Sequence, residues 1–338
     1  MEKIMNPEDA LSLLDAFVNL RIMVIGDVML DAYIFGKVDR ISPEAPVPVV
    51  SVRERVSRLG GAANVALNLH TLGAEPVMIS VIGKDARGDE FVNLTQQLGM
   101  HTEGIIRLDN RPTTTKFRII GNNVQMLRVD EETTISVDDE VTTKMLQSIK
   151  SAIEQGNIHG IVFQDYDKGV ISKRLIEETV HLASKHQIPV AVDPKKLHFM
   201  DYRGVNFFKP NLKELREGLN LQTEVNLLNL PETVSLLQNR LAADMVMVTL
   251  SEKGVFIQEN VNGKHTGYHL PAHLRNIADV SGAGDTVISV AALCLAMKQT
   301  ARVTAFLSNL AGGLVCEEVG VVPVNRTKLR TELLRVLQ

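Results

Sequence analysis

Short runs of β-branched and other apolar residues alternate along this chain with longer segments whose apolar positions recur at helical spacing. Residues 21–26, 76–82, 160–164, 190–193 and 245–250 read as strands. Residues 61–72, 89–98 and 173–186 read as helices between them, and from position 279 onward helix follows helix over 284–297, 302–318 and 326–337. Alternation of this kind predicts parallel βαβ units, hence an α/β fold whose mainly parallel sheet is covered by helices on both faces.

Two segments break the alternation, approximately 33–58 and 113–130. The first is rich in proline and valine (Pro43, Pro46 and Pro48 with Val47, Val49 and Val50), and the second has strand character around a turn at Gly121-Asn122-Asn123. Neither carries a helical period. Both suit a small β-lid standing off the main sheet, with a pair of long surface loops as the alternative. No internal repeat or shift in composition divides the chain, so a single domain over residues 1–338 is the economical expectation.

Composition narrows the function classes. A formal net charge of −4 offers no basic field for nucleic acid or an anionic membrane, and the chain has no tryptophan for base stacking. Its two cysteines, Cys294 and Cys316, lie in apolar helical stretches and suit buried free thiols of a reducing compartment. Residues 1–14 lack the basic start and unbroken apolar run of a signal peptide, and the strongest apolar run, 287–297, is too short to span a bilayer. A cytoplasmic protein acting on a small molecule is expected.

The densest chemical signal is Asp279-Val280-Ser281-Gly282-Ala283-Gly284-Asp285-Thr286, placed where the apolar helix begins. Small residues let backbone N–H groups converge, and the helix start adds partial positive charge, so Gly282, Ala283 and Gly284 form a candidate anion site without a cationic side chain. Phosphoryl transfer requires such a site beside a carboxylate that takes the proton of the attacking hydroxyl. Asp285 is placed to be that base, and the apolar helix behind it implies burial. The plainer reading is a turn into a helix with Asp285 as its cap.

A second glycine cluster, Gly60-Gly61-Ala62-Ala63-Asn64, opens a helix at the end of the irregular β-segment. Paired glycines permit close approach of a ligand, and the Asn64 amide offers a donor and an acceptor to sugar hydroxyls. Gly26-Asp27 ends the first strand and Asp31 follows, where an acidic side chain is suited to chelating a diol. Turn glycines with an Asx cap are the alternative. No G-x-G-x-x-G follows the first strand, which disfavours a dinucleotide-dependent oxidoreductase.

Taken together, the two glycine signatures resemble those of the ribokinase-like (PfkB) carbohydrate kinases, and the resemblance runs from Arg21 to the last helix. It implies a three-layer α/β/α fold with a β-lid, ATP and Mg2+ as cofactors, a sugar pocket lined by the first signature and an anion hole plus catalytic base in the second. A narrower resemblance is to the kinases that phosphorylate D-glycero-β-D-manno-heptose 7-phosphate at C1. It is carried by Gly26-Asp27-Val28-Met29-Leu30-Asp31, by Arg40-Ile41-Ser42-Pro43-Glu44-Ala45-Pro46-Val47-Pro48-Val49, by Thr115-Lys116-Phe117-Arg118 and Leu127-Arg128-Val129-Asp130, and by Asp165-Tyr166-Asp167-Lys168-Gly169. Asp193-Pro194-Lys195 and Asn211-Leu212-Lys213-Glu214 complete it. Ser281 stands where threonine is commoner and Asp167 where a small residue is usual. The chain ends soon after the kinase fold, without the cytidylyltransferase-like part of bifunctional relatives, so only the kinase step is implied.

On this resemblance the sugar touches Asp31, Gly60, Gly61 and Asn64, and a phosphate at its far end is met by Lys116, Arg118 or Arg128, with Arg128 the first to test. An ordinary charged strand face is the alternative for these three. Lys195, Asn211, Glu214, Thr249, Ser251, Gly254 and Asn309 fall along the nucleotide channel, with Glu214 meeting the metal indirectly, through water. Asn309 is equally suited to a polar position on a packed helix. Relatives often pair through their lids, so a homodimer is expected. A kinase for another sugar or sugar phosphate and a catalytically silent sugar-binding regulator remain the competing functions.

Overall fold

The computed structural model describes residues 4–273 and 275–337. Among the described residues, thirteen strands can be followed in chain order. They are β1 (Arg21–Gly26), β2 (Val28–Ile41), β3 (Pro48–Gly61), β4 (Glu75–Gly83), β5 (Ile105–Leu108), β6 (Thr115–Gly121), β7 (Val124–Glu131), β8 (Gly160–Gln164), β9 (Val190–Asp193), β10 (Phe207–Phe208), β11 (Met245–Thr249), β12 (Val255–Val261) and β13 (Lys264–Leu270).

Among the described residues, nine strands form one sheet in the order β13-β12-β11-β10-β9-β8-β1-β4-β5. From β11 to β5 neighbouring strands run parallel, and the β12/β13 hairpin adds two antiparallel ladders at one edge. Side chains of β1 alternate between two cores, as the pleat requires. Ile22 and Val24 join a core shared with the helices Ala62–Thr71, Ala283–Ala296 and Ala301–Val315. Met23 and Ile25 join another, under the helices Asp139–Glu154, Lys173–Lys185 and Leu230–Leu241. The result is the expected three-layer arrangement, with strand ends within a few residues of those read from the sequence.

The two irregular segments are strands of a second sheet, ordered β3-β2-β6-β7. The Gly121-Asn122-Asn123 turn is a tight hairpin, with Asn122 and Asn123 at φ 52° and 64°, left-handed values that short polar side chains tolerate. Strand β2 begins buried in the main body and ends exposed, so the lid is an extension of the chain leaving β1. Paired residues of adjacent strands share a face. One face therefore carries Asp31, Lys116 and Asp130 in one row and Tyr33, Arg118 and Arg128 in the next. The opposite face carries Ile34, Ile119 and Leu127, then Ala32, Phe117 and Val129.

The sheet order reverses between β1 and β8, since later strands are added outward from both. In an open α/β sheet a crevice forms at the carboxyl ends of the strands flanking such a reversal. Gly26 and Gln164 are paired at those ends, and the lid leaves the body there.

Candidate active site

The Ala283–Ala296 helix is buried from Asp285 through Leu295. Its N-cap is Gly282 at φ 81°, with no side-chain cap, so Asp285 sits in the first turn without capping it. Among the described residues, the amides of Gly284 and Asp285 donate to no carbonyl or side chain, leaving them free for an anion in the way helix starts provide.

Asp285 itself is 5% exposed. Asn64 Nδ2 donates to its Oδ2 at 2.7 Å, while Tyr166 OH and Gln164 Nε2 donate to its Oδ1 at 2.8 and 3.1 Å. Burial pushes its carboxyl up to about 6, with the Asn64 hydrogen bond opposing and the nearby Asp193 reinforcing the rise. Such a carboxyl is poised to hold and release a proton near neutrality.

Asn64 is oriented from behind. Asn68, one helical turn later and buried, donates from Nδ2 to the Asn64 carbonyl at 2.8 Å and to Asn64 Oδ1 at 3.3 Å. Asn68 Oδ1 in turn accepts from Thr286 Oγ1 and the Val324 amide, each at 2.9 Å. With its oxygen occupied by Asn68, Asn64 presents its amide nitrogen to Asp285. The two glycine signatures are thus joined by one buried hydrogen-bond network. Gly61, at φ 58°, makes the tight entry to this helix, and a Cβ there would stand 2.3 Å from the Asp27 carbonyl oxygen.

On the other side of Asp285 lies a cleft of about 960 Å³. Its walls hold Gly282, Ala283, Gly284 and Asp285 together with Lys195, Asn211, Glu214, Thr249, Ser251, Gly254 and Asn309, so the residues expected along a nucleotide channel and the glycine run share one space. Asn211 and Glu214 form a reciprocal capping box on the helix Leu212–Gly218. Lys195 is paired with Glu214 Oε1. Asn309 Nδ2 donates to the Pro271 carbonyl at 2.9 Å.

Lys209 escapes the motif reading. It is 3% exposed, pairs with Asp193 Oδ2 at 3.0 Å, and its Nζ lies 3.7 Å from where a Cβ on Gly284 would stand. Its one sequence signal is a lysine directly after the apolar pair Phe207-Phe208, at a strand end facing the crevice. Gln164 and Tyr166 escape it too, as direct partners of Asp285. Gln164 closes an apolar strand, the position where a polar side chain meets the crevice.

The Asp27 expectation is corrected. Its carboxylate accepts from the Tyr166 and Lys168 amides on Oδ2, at 2.8 and 3.2 Å, and from the Val170 amide on Oδ1 at 3.1 Å. It is 1% exposed and fastens the loop after β8 rather than facing a ligand. Asp31 is held by Arg118 in a buried ion pair. Lys116 reaches inward, its Nζ 5.7 Å from the centre of the Tyr166 ring. Arg128 is paired with its own strand neighbour Asp130 at 3.0 Å and its side chain is 54% exposed, which makes Lys116 the better placed of the three cations.

A sequence profile described as pfkB family carbohydrate kinase matches residues 19–328. The bifunctional protein HldE of Methylobacillus flagellatus is 38% identical over 312 residues, covering 92% of this chain and 63% of that protein. HldE of Magnetococcus marinus is 38% identical over 320 residues, covering 94% and 65%. The chain therefore spans a little under two thirds of the length of these relatives. Among solved structures, Arabidopsis thaliana ribokinase complexed with ribose and ATP superposes with a TM-score of 0.70 at 17% identity, over 94% of this chain and 98% of that one. Escherichia coli phosphofructokinase-2 in complex with fructose-6-phosphate gives 0.74 at 16% identity, over 94% and 98%. At those identities the structures establish the ribokinase-like fold, and the profile match over most of the length establishes the rest: this chain belongs to the pfkB family of carbohydrate kinases, and is a phosphotransferase.

Proposed function

We propose that this chain uses ATP and Mg2+ to phosphorylate the C1 hydroxyl of D-glycero-β-D-manno-heptose 7-phosphate, giving the 1,7-bisphosphate and ADP, in the cytoplasm and on the route to ADP-heptose and lipopolysaccharide core. The observation that carries the kinase chemistry is Asp285, a buried carboxyl with a pKa of about 6 in the first turn of a helix where, among the described residues, the Gly284 and Asp285 amides have no protein acceptor. Similarity to the HldE proteins over their kinase-sized part supports the heptose substrate.

In this reading the sugar lies between the lid's polar face and the Gly60-Gly61 turn, with Asp31 beside it; Asn64, fully buried and spent on Asp285 and Asn68, orients the base instead of meeting sugar hydroxyls as its sequence position suggests. Asp285 accepts the proton as the acceptor oxygen bonds to the γ-phosphorus. The amides of Gly284 and Asp285 and the Lys209 ammonium offset the charge on the moving group. Lys116 meets the distal phosphate as a point charge.

Glu214 is the cleft carboxylate that would meet a hydrated magnesium ion, through water; its Oε1 is paired with Lys195 and its Oε2 accepts from the Asn211 amide at 2.9 Å. When bound with the nucleotide, magnesium supplies charge neutralisation on the phosphate oxygens, keeping most of its waters. No described helix is long and apolar enough to cross a membrane. The exposed apolar face of the lid supports pairing with a second copy.

The test is ADP release with heptose 7-phosphate, dephosphorylated heptose and a panel of other sugar phosphates. Preference for the 7-phosphate supports the reading. Equal or better turnover of another sugar overturns the substrate, and no ADP release with any of them overturns the kinase.

A further inference from the structure

Three donors converge on Asp285, and they divide unequally between its two oxygens. Each carboxylate oxygen has two lone-pair directions. Oδ1 takes both Tyr166 OH, at 2.8 Å, and Gln164 Nε2, at 3.1 Å, whereas among the described residues Oδ2 takes only Asn64 Nδ2, at 2.7 Å. Oδ1 is therefore filled, and one site on Oδ2 is open.

The donors are fixed in these roles by their surroundings. Gln164 Nε2 also reaches Asp193 Oδ2 at 3.2 Å, so its amide nitrogen lies between two carboxylates; turning the amide over would set its oxygen against both. Tyr166 is held at its backbone by Asp27. Its ring lies below two cations from opposite sides of the site, Lys116 of the lid at 5.7 Å and Lys195 of the cleft at 5.4 Å. Positive charge near a phenol strengthens it as a donor, and burial together with Asp285 keeps it protonated.

We propose that Tyr166 is a positioning residue which, with Gln164, saturates Oδ1 of Asp285 and so makes Oδ2 the oxygen that takes the acceptor hydroxyl's proton. This rests on the reading of Asp285 as the base. The step balances: the acceptor O–H bond breaks as Oδ2–H forms, the acceptor oxygen bonds to the γ-phosphorus, and the bond from that phosphorus to the leaving ADP oxygen breaks with its electron pair. Because Lys116 and Lys195 approach the same ring, Tyr166 also ties the base to the sugar side and the nucleotide side at once. The charged and titratable groups around the base are Asp193, Lys209, Tyr166 and Lys195.

The experiment is the pH dependence of kcat for Tyr166→Phe, which keeps the ring and the backbone contacts to Asp27. Removing one hydrogen bond to the carboxylate form is expected to raise the acidic limb by about one unit, and so to lower kcat about twofold at pH 7 and roughly tenfold below about pH 5, with the KM for ATP unchanged. A fluorinated tyrosine placed at position 166 alone, a stronger donor with the same shape, is expected to move the limb down. A residue that only fills space moves it in neither protein, and limbs that stay with the wild type overturn the proposal. Asp285→Asn separates the two levels. If it abolishes turnover while both Tyr166 variants keep the wild-type limb, this inference falls and the base assignment stands; if it retains turnover, both fall.

Discussion

Asn64 Nδ2 and Asp285 Oδ2, 221 positions apart in the sequence, are joined by a buried 2.7 Å hydrogen bond. That bond welds the glycine turn ending the lid to the helix start that faces the cleft, so the lid turn and the cleft wall meet at one carboxylate. Asp285→Asn leaves the shape of this junction but removes the proton acceptor. Its kcat is expected to fall by at least ~10²-fold, the scale of positioned acid–base catalysis, with nucleotide affinity nearly intact. Single-turnover phosphoryl transfer beside a nucleotide-binding titration checks both halves.

The same carboxyl sets a pH window. Its ordinary value of 3.8 is raised to about 6 by burial, so the ionised base is lost as pH falls through about 6, and kcat in saturating substrates is expected to halve near there. Linkage runs the other way for stability. The folded protein holds this proton where the unfolded chain has released it, so Asp285 costs nothing below about pH 4 and weakens the fold progressively up to about pH 6. A kcat profile flat from pH 5 to 8 contradicts the assignment.

Lys209 and Asp193 are each less than a tenth exposed and 3.0 Å apart. Removing one partner of such a pair strands a buried charge, at a cost of about 3–5 kcal/mol. Lys209→Met is expected to lose stability on that scale and to lose kcat. Lys209→Met with Asp193→Asn is expected to recover most of the stability and none of the activity. Urea unfolding and kinetics on the four proteins of this cycle check it, and recovery of activity in the double variant counts against an anionic partner for Lys209.

Much of this arrangement is legible in the sequence because it is written locally. Period-2 and period-3.6 patterns mark most sheet strands, the Asn122-Asn123 turn marks a lid hairpin, and the glycine runs mark both helix starts. Some local signals go unassigned: the Asn262-Gly263 turn of the β12/β13 hairpin, at φ 53° and 82°, and the helix Asp139–Glu154, capped by Asp138 with Val141, Met145, Ile149 and Ile153 buried along it. What no local pattern carries is the ring around Asp285. Gln164 and Tyr166 lie 121 and 119 positions away from it, and only the strand order at the β1/β8 reversal brings them in. Asp27 is misread for the same reason, since the three amides it accepts from belong to a loop some 140 residues later.

Among the lid cations, Lys116 is the side chain turned toward the site, half-buried with its ammonium destabilised by burial and supported by Asp31. Asp31 already neutralises Arg118. Lys116→Met is expected to raise the KM for a phosphorylated sugar by roughly tenfold or more, the worth of one charge-assisted hydrogen bond, and to leave the KM for ATP within about twofold. Arg128→Ala is expected to do much less. The reverse ranking in steady-state kinetics would return the distal phosphate to Arg128.

The lid's other face sets its behaviour in solution. Leu127 and Val129 are 53% and 46% exposed, in rows completed by Ile34 with Ile119 and by Ala32 with Phe117, so apolar side chains stand on the face opposite Asp31, Lys116 and Arg118. Along the edge beside it, all of β7 is exposed. An uncovered apolar strand at a sheet edge is a pairing site, and two lids laid together by a twofold axis cover both copies with the same residues. Leu127→Glu with Val129→Lys sets charges in that surface without touching Asp31, Lys116 or Asp285. The wild type is expected to sediment as a dimer and the double variant as a monomer that keeps its fold by circular dichroism. Since Phe117 and Lys116 are neighbours on β6, separation of the copies is expected to loosen the lid and raise the sugar KM more than the nucleotide KM. A wild type that sediments as a monomer at all concentrations removes the dimer and leaves this apolar face without a partner.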